Sequence, residues 1–374
     1  MSFPTVGVIG AGQLARMMVP PAIDLGINLS LFAQSSDDSG AQIAPHTVGD
    51  YRNSAAVLAW AKNCDVVTFE HEQVPQAVIH SLESAGIKVF PSASAFTFSQ
   101  NKLVMRQKMS ELGLPNPRWA EFNGGESPLE FPLIAKTSTG GYDGRGVFVI
   151  RSQQELTELY QKIAAPLLLE EKLPFDYEIA VMVARSPHGQ AATWAPTLTV
   201  QSDGICTQTI TPIPDVSPEL ASSATAVALS IAQGIDLVGV MAVELFVVNG
   251  ELIINELALR PHNSGHWSIE GARTSQFEQH LRAVLNLPLG DTQLCYDYSV
   301  MGNVIGIETD KDGDLYRPYL HLMARTPSLK IHQYKKELRP GRKVGHVSAH
   351  GSDLVHLRNE VEHAVAYLSG AIDE

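Results

Sequence analysis

The first hundred or so residues alternate short apolar runs with stretches of helical period. Residues 6–9, Val-Gly-Val-Ile, carry no polar side chain, as expected of a strand covered on both faces. A glycine-rich turn follows, and the spacing then predicts a helix over 13–25. Residues 28–32 and 66–69 read as further strands, and 87–90 lead into a Pro-Ser turn. Strands alternating with helices predict a doubly wound, parallel α/β domain over 1–115. A helix over 102–112 runs into Leu-Pro-Asn-Pro at 114–117, where proline ends it and marks a domain joint.

Strand-like 133–136 and 147–150 flank a glycine-rich loop, a helix covers 153–163, and strands follow at 167–170 and 177–184. These make a small α+β unit over 116–190. From 191 to 374 the pattern is antiparallel, with an Asn-Gly turn at 249–250 and a helix over 275–285. Parity leaves that turn open. A two-residue loop places Asn255 opposite Glu244; a three-residue loop puts Glu256 on the same face as Glu244.

Composition narrows the classes. Of 374 residues, 44% are hydrophobic and 18% charged, which is globular usage. The net charge of −13 disfavours nucleic acid as a partner, so an anionic substrate needs a local basic pocket. Cys64, Cys206 and Cys295 lie too far apart for a zinc or redox motif, which fits a reducing compartment. The N-terminus lacks the basic flank of a signal peptide, and the apolar stretch 237–248 is broken by Glu244 and too short for a bilayer. The expected location is the cytoplasm.

Five segments carry candidate chemistry. Gly10-Ala-Gly12-Gln-Leu-Ala15 fits a dinucleotide fingerprint, but the second strand ends in Gln34 where that fingerprint needs an acid for the ribose. The other readings are a tight turn, or backbone N–H groups facing some other anion. The loop Gly140-Gly141-Tyr142-Asp143-Gly144-Arg145-Gly146 follows Lys136 at a strand end. It suits a flap over phosphates, with the lysine reaching them. Glu244 and Glu256 sit in an apolar hairpin, where Mg²⁺ is a natural partner for two carboxylates. Arg260, His262, Asn263 and His266 offer donors to a small anion. Lys335, Lys336, Arg339, Arg342 and Lys343 gather five cations into nine residues and suit a phosphate monoester.

Together with Phe69-Glu-His-Glu72, Asn255-Glu-Leu-Ala258, His262-Asn-Ser-Gly-His266 and Arg339-Pro-Gly-Arg-Lys343, these segments resemble the ATP-grasp superfamily. Within it they are similar to the N5-carboxyaminoimidazole ribonucleotide synthase family, over nearly the whole chain. The resemblance implies three domains around a cleft, with ATP between the middle and C-terminal ones. It implies that Lys102 and Lys136 contact ATP phosphates beneath the 140–146 loop. Glu170, Glu171, Lys172 and Leu173 would form the hinge beside adenine, with Glu178 on the ribose and Asn255 in the nucleotide site. Glu244 and Glu256 would bind magnesium. Gln13, Leu14, Glu72, Lys335 or Lys336, Arg342 and Lys343 would hold the ribonucleotide, and Arg260, His262, Asn263 and His266 would serve catalysis. The family often has Ala-Pro-Arg where this chain has Ala258-Leu259-Arg260; Arg260 keeps its place.

The implied reaction joins bicarbonate to 5-aminoimidazole ribonucleotide at the expense of ATP, through carboxyphosphate, in a homodimer. Three rivals are a formate-using glycinamide ribonucleotide transformylase, an NAD-dependent dehydrogenase and a catalytically silent nucleotide-binding module. The His-Asn-Ser-Gly-His run argues against the first, the missing acid against the second, and Lys136, Glu244 and Glu256 against the third.

Overall fold

The computed structural model of the protein describes residues 3–140, 146–202, 204–306, 316–337 and 339–372. Its N-terminal part is a parallel sheet of β1 (Thr5–Ile9), β2 (Asn28–Ala33), β3 (His46–Val48) and β4 (Val66–Phe69), in the order β3-β2-β1-β4. Helices α1 (Gln13–Asp24), α2 (Ser54–Ala61), α3 (Gln76–Ser84) and α4 (Ala93–Gln100) supply the crossovers and covers. Val6, Val8, Ile9 and all of β4 are buried, which explains apolar runs that only Thr68 interrupts. Residues 87–90 contribute one bridge, Val67 to Val89, and no full strand. Because β2 and β4 flank β1, the glycine turn after β1 lies at the switch point of the sheet, where open α/β sheets bind ligands.

Helix α5 (Lys102–Glu111) starts at Asn101, whose side chain accepts from the amides of Leu103 and Val104. A second sheet follows, ordered β5-β8-β6-β7 and antiparallel throughout. Its strands are β5 (Trp119–Phe122), β6 (Leu133–Thr137), β7 (Val147–Ile150) and β8 (Leu167–Glu171). Helix α6 (Gln153–Ile163) closes a core of Phe122, Leu133, Ala135, Leu156 and Leu169 over it. Lys102 N–H donates to the Ser138 carbonyl at 2.8 Å and Asn101 bridges Thr139, so the foot of the second glycine loop is fastened to the start of α5.

The large sheet comprises β9 (Tyr177–Arg185), β10 (Ala191–Thr193), β11 (Thr197–Ser202), β12 (Ile205–Thr211), β13 (Gly239–Val248), β14 (Glu251–Ala258), β15 (Tyr298–Ile305), β16 (Lys330–Gln333) and β17 (Lys343–Gly351). Its order is β14-β13-β9-β11-β12-β15-β17-β16, with β10 on β9. Helices α7 (Pro218–Gly234), α8 (Ser268–Gly271), α9 (Gln276–Val284), α10 (Pro318–Arg325) and α11 (Leu354–Ser369) complete the chain. Strand β9 corrects the sequence reading. It was expected in the small central unit, but it pairs along its whole length with β13. Alternate residues explain this: Ile179, Val181 and Val183 enter one core, while Met182 and Ala184 enter another with Trp194 and Trp267. A strand covered on both faces belongs in the interior of a large sheet.

The C-terminal half also locks onto the N-terminal domain. Phe277, Leu281 and Val284 of α9, with Tyr334, join the core formed by β1, β2 and α1. His280 bridges the two sheets. The Val240 amide donates to its Nδ1 at 3.1 Å, so Nε2 carries the proton and donates to Thr68 Oγ1 at 2.8 Å. Full burial drives its pKa down to about 3, keeping the ring neutral.

Candidate active site

The Asn249-Gly250 turn has φ of 50° and 80°, the backbone of a type I′ hairpin, and Val248 faces Glu251 across it. A two-residue loop alone would set Asn255 opposite Glu244. The register shifts between Glu244 and Leu245, so Leu245 faces Ile254, Glu244 faces Glu256, and Asn255 is the bulged residue. The turn is the shorter alternative, yet the bulge brings the two carboxylates onto one face, as the longer alternative would have done.

Arg106 holds that bulge. It is fully buried, donates to the carbonyls of Ile254 and Asn255 at 2.7 Å each, and pairs through Nε with Glu170 at 2.6 Å. The other oxygen of Glu170 takes Lys136 Nζ at 2.8 Å, and Lys136 also donates to Asn255 Oδ1 at 3.1 Å. Lys102 Nζ meets Glu256 at 2.7 Å. Helix α5, strand β8 and the β13–β14 hairpin therefore converge on one charged network.

Its electrostatics are uneven. Burial pulls the Lys136 ammonium below its ordinary value, with Glu170 opposing. Burial opposes ionisation of Glu170, but Lys136 and Arg106 outweigh it and hold the carboxyl low. Burial acts likewise on Glu256, and Lys102 overcomes it to keep that carboxylate charged. Glu244 is the odd member: burial, then the charges of Glu256 and Glu178, push it up to about 8. Two carboxylates facing each other in an apolar hairpin, one driven toward its neutral form, suit a divalent cation. Among the described residues no three acidic, histidine or cysteine side chains form a complete metal cage. A cation here would finish its shell with phosphate oxygens and water, as Mg²⁺ does.

The expected adenine hinge is less direct. The Glu170 side chain is committed inward, and Glu171 pairs with Arg118 at 2.8 Å, so neither carboxylate points at a ligand. Lys172 is exposed and Leu173 half-buried just beyond β8. Glu178 lies on β9 opposite Phe246, and burial followed by the charge of Glu256 raises its pKa. Gly140 and Gly146 have φ of 78° and 79°; Gly141, Tyr142, Asp143, Gly144 and Arg145 lie outside the described residues.

Residues 260–266 connect this network to the N-terminal domain. Arg260 pairs with Glu72 at 2.8 Å, and His262 Nε2 lies 3.3 Å from Glu244. Asn263 and Asn303 exchange amide hydrogen bonds at 2.8 and 2.7 Å. His266 does not reach the cleft. It is 1% exposed, accepts from Gln276 at Nδ1, and burial holds its pKa well below the ordinary range. The ring is neutral and enclosed, and its Nδ1 is taken up by Gln276.

The first glycine turn and the basic cluster form opposite walls of a cavity of about 510 Å³ that includes Gly10, Gly12, Lys335, Lys336, Arg339 and Arg342. Three contacts dock the cluster. Ser39 donates to the Tyr334 carbonyl at 2.6 Å, Gln42 donates to that of Lys335 at 3.1 Å, and Lys336 donates to the Gln13 side chain. Lys343 belongs to the other end, where its charge opposes the rise in the Glu244 pKa. Leu14 is buried and its N–H donates to Glu70 Oε1 at 3.1 Å; the Gly12 N–H donates to Oε2 at 2.5 Å. The anion at the dinucleotide-like turn is the protein's own. Strand β4 ends at Phe69; beyond it Glu70 turns to α1 and Glu72 to Arg260.

Sequence reasoning missed Arg106 and the role of Glu70. For Arg106 the signal was a cation on the helix face shared with Met105 and Met109. For Glu70 it was the missing ribose acid, which leaves the turn's donors without a ligand.

Comparisons agree with this arrangement. Residues 3–100 match a ribonucleotide synthetase preATP-grasp domain, 107–277 an ATP-grasp domain, and 299–360 a phosphoribosylaminoimidazole carboxylase C-terminal domain. An N5-carboxyaminoimidazole ribonucleotide synthase of Mycobacterium tuberculosis is 43% identical over 98% of this chain and 88% of its own. The Thermus thermophilus N5-carboxyaminoimidazole ribonucleotide synthetase superposes with a TM-score of 0.86 at 33% identity, covering 99% of both chains. The Aspergillus clavatus synthase, solved with ADP and 5-aminoimidazole ribonucleotide, gives 0.86 at 29% identity and the same coverage. Domain order and full-length similarity agree: this chain belongs to the N5-carboxyaminoimidazole ribonucleotide synthase family of ATP-grasp enzymes.

Proposed function

We infer that the chain is an ATP-dependent ligase that carboxylates 5-aminoimidazole ribonucleotide on nitrogen, using bicarbonate and yielding ADP, phosphate and N5-carboxyaminoimidazole ribonucleotide for purine biosynthesis. The observation that carries this reading is the facing of Glu244 and Glu256 with Lys102 and Lys136 drawn onto the same end of the sheet. Residues 70–72 and 342–343 join that end to the basic cavity.

A bicarbonate oxygen attacks the γ-phosphorus as the bond to ADP breaks. The amine nitrogen then attacks the carboxyl carbon of carboxyphosphate, or CO₂ released from it, and phosphate departs. Lys102 and Lys136 would neutralise the polyphosphate, leaving their present carboxylate partners as ATP enters. Glu244 and Glu256 would hold Mg²⁺, which supplies charge neutralisation between phosphate oxygens. Arg342, Lys335 and Lys336 would take the ribonucleotide phosphate, with the Lys336 ammonium already braced by Gln13. Glu72 would accept from the acceptor amine while Arg260 holds it in place. His262 and Asn263 would border the bicarbonate. No helix among the described residues is long and apolar enough to cross a membrane. A cytoplasmic setting and a homodimer belong to the same proposal.

ADP release should require both bicarbonate and the ribonucleotide. Activity with formate and glycinamide ribonucleotide instead would replace the reading by a transformylase. Glu72→Ala should lose stimulation by the ribonucleotide while keeping slow bicarbonate-driven ATP cleavage. Full stimulation in that variant would make Glu72 a surface acid.

A further inference from the structure

In a dinucleotide-binding turn the N-terminal amides of the helix face a pyrophosphate, and the glycines let it come close. Here those amides face Glu70. The residue is 8% exposed, its backbone N–H continues the ladder to the Ile9 carbonyl at 3.0 Å, and its two carboxylate oxygens accept from the N-cap Gly12 and from Leu14 in the first turn of α1. The two glycines are explained by the same group. A Cβ on Gly10, whose φ is 105°, would lie 2.8 Å from Glu70 Oε2, and one on Gly12 would strike that carboxylate. The turn is built to admit an internal carboxylate.

Gln13 lies between the two amides that Glu70 holds, and its side chain contacts Lys336 at the cavity wall. We propose that Glu70 is a positioning residue: its carboxylate replaces the phosphate group of a dinucleotide, fixes the Gly12-Gln13-Leu14 backbone, and so sets Gln13 and Lys336 to receive the ribonucleotide monophosphate. The proposal rests on the carboxylation reading above. It also gives a reason why this turn does not take a dinucleotide: a fixed negative charge already fills the place of the pyrophosphate.

The test begins with the unsubstituted enzyme, where absence of ribonucleotide-stimulated ADP release would refute the underlying function and leave Glu70 aside. Given activity, Glu70→Ala should raise KM for the ribonucleotide by about tenfold or more, with KM for ATP nearly unchanged. Sodium formate, small enough to occupy the vacated space, should restore much of that loss. Sodium chloride at equal ionic strength should not, and formate should leave the parent enzyme unchanged. Glu70→Gln keeps the shape but must turn an NH₂ toward one of two amide donors, so it should fall between. If Glu70→Ala fails to fold, Glu70→Gln carries the test by its KM ratio and by the same formate series. Unchanged ribonucleotide KM in a folded variant would overturn the proposal. So would equal weakening of ATP and ribonucleotide with no response to formate, which would mark Glu70 as structural only.

Discussion

The two ends of the cleft handle charge in opposite ways. Around Asn255, Arg106, Glu170 and Lys136 are enclosed, and nearly every polar atom has a short intramolecular partner. Around the cavity, Lys335 and Arg339 are exposed, Arg342 is partly so, Arg339 pairs with the exposed Glu337 at 2.6 Å, and two of the three docking contacts run through backbone carbonyls of the segment. Buried charges survive only when compensated, so the first end is preorganised and intolerant of single losses. Exposed cations keep their hydration until a phosphate arrives, so the second end gives up affinity gradually. The first suits a reaction that must hold a polyphosphate in fixed geometry; the second suits capture of a soluble monophosphate.

Substitutions can break this contrast. The largest effect should come from Arg106→Met, which removes one partner of a buried pair and frees two carbonyls of the bulge. Loss of about 3–5 kcal/mol is expected, read by urea unfolding. A loss below 1 kcal/mol would mean that Lys136 alone satisfies Glu170. Next, Glu256→Gln should lower kcat for ADP formation by roughly a hundred- to a thousandfold with the fold intact, because it removes a charge from the cation site. Near-normal turnover at saturating Mg²⁺ would take Glu256 out of that site. Arg342→Ala should raise KM for the ribonucleotide about ten- to a hundredfold, and KM for ATP much less. Equal changes would move the cluster to ATP.

The smallest effect sharpens the comparison through pH. Glu244 has its folded pKa raised from 4.5 to about 8 by burial and by the charge of Glu256. Between those values the folded chain holds more protons than the unfolded one, so this group's stability is full below pH 4.5 and is lost as pH rises toward 8. In chelator, unfolding free energy should therefore decline across that window, and Glu244→Gln should flatten the decline. An unchanged slope in the variant would assign the proton elsewhere.

Much of this was legible in the chain. The apolar runs at 6–9 and 66–69, interrupted only by Thr68, announced a parallel sheet because strands covered on both faces need no alternation. Ser152 and Ser275 cap α6 and α9, their hydroxyls accepting from the amides of Glu155 and Glu278, so those helix starts have local causes. Glu244 and Glu256 stood out as charges in an apolar hairpin, Lys136 by its place before the glycine loop, and Lys102 only through the family resemblance. Other features depend on partners distant in sequence. The tail of the chain reaches the first turn because Ser39 and Gln42 bind carbonyls nearly 300 positions away. Strand β9 follows the central unit in sequence but takes its hydrogen bonds from β13. His266 and His262 look alike in the motif, and only packing against Gln276 and Phe277 closes one ring off from the cleft. Side-chain type and local spacing fixed which chemistry was available. Which carboxylates face each other was settled by one bulged residue, because a period-two strand reverses every side chain when a single residue is inserted, and the arginine that holds that residue comes from another part of the fold.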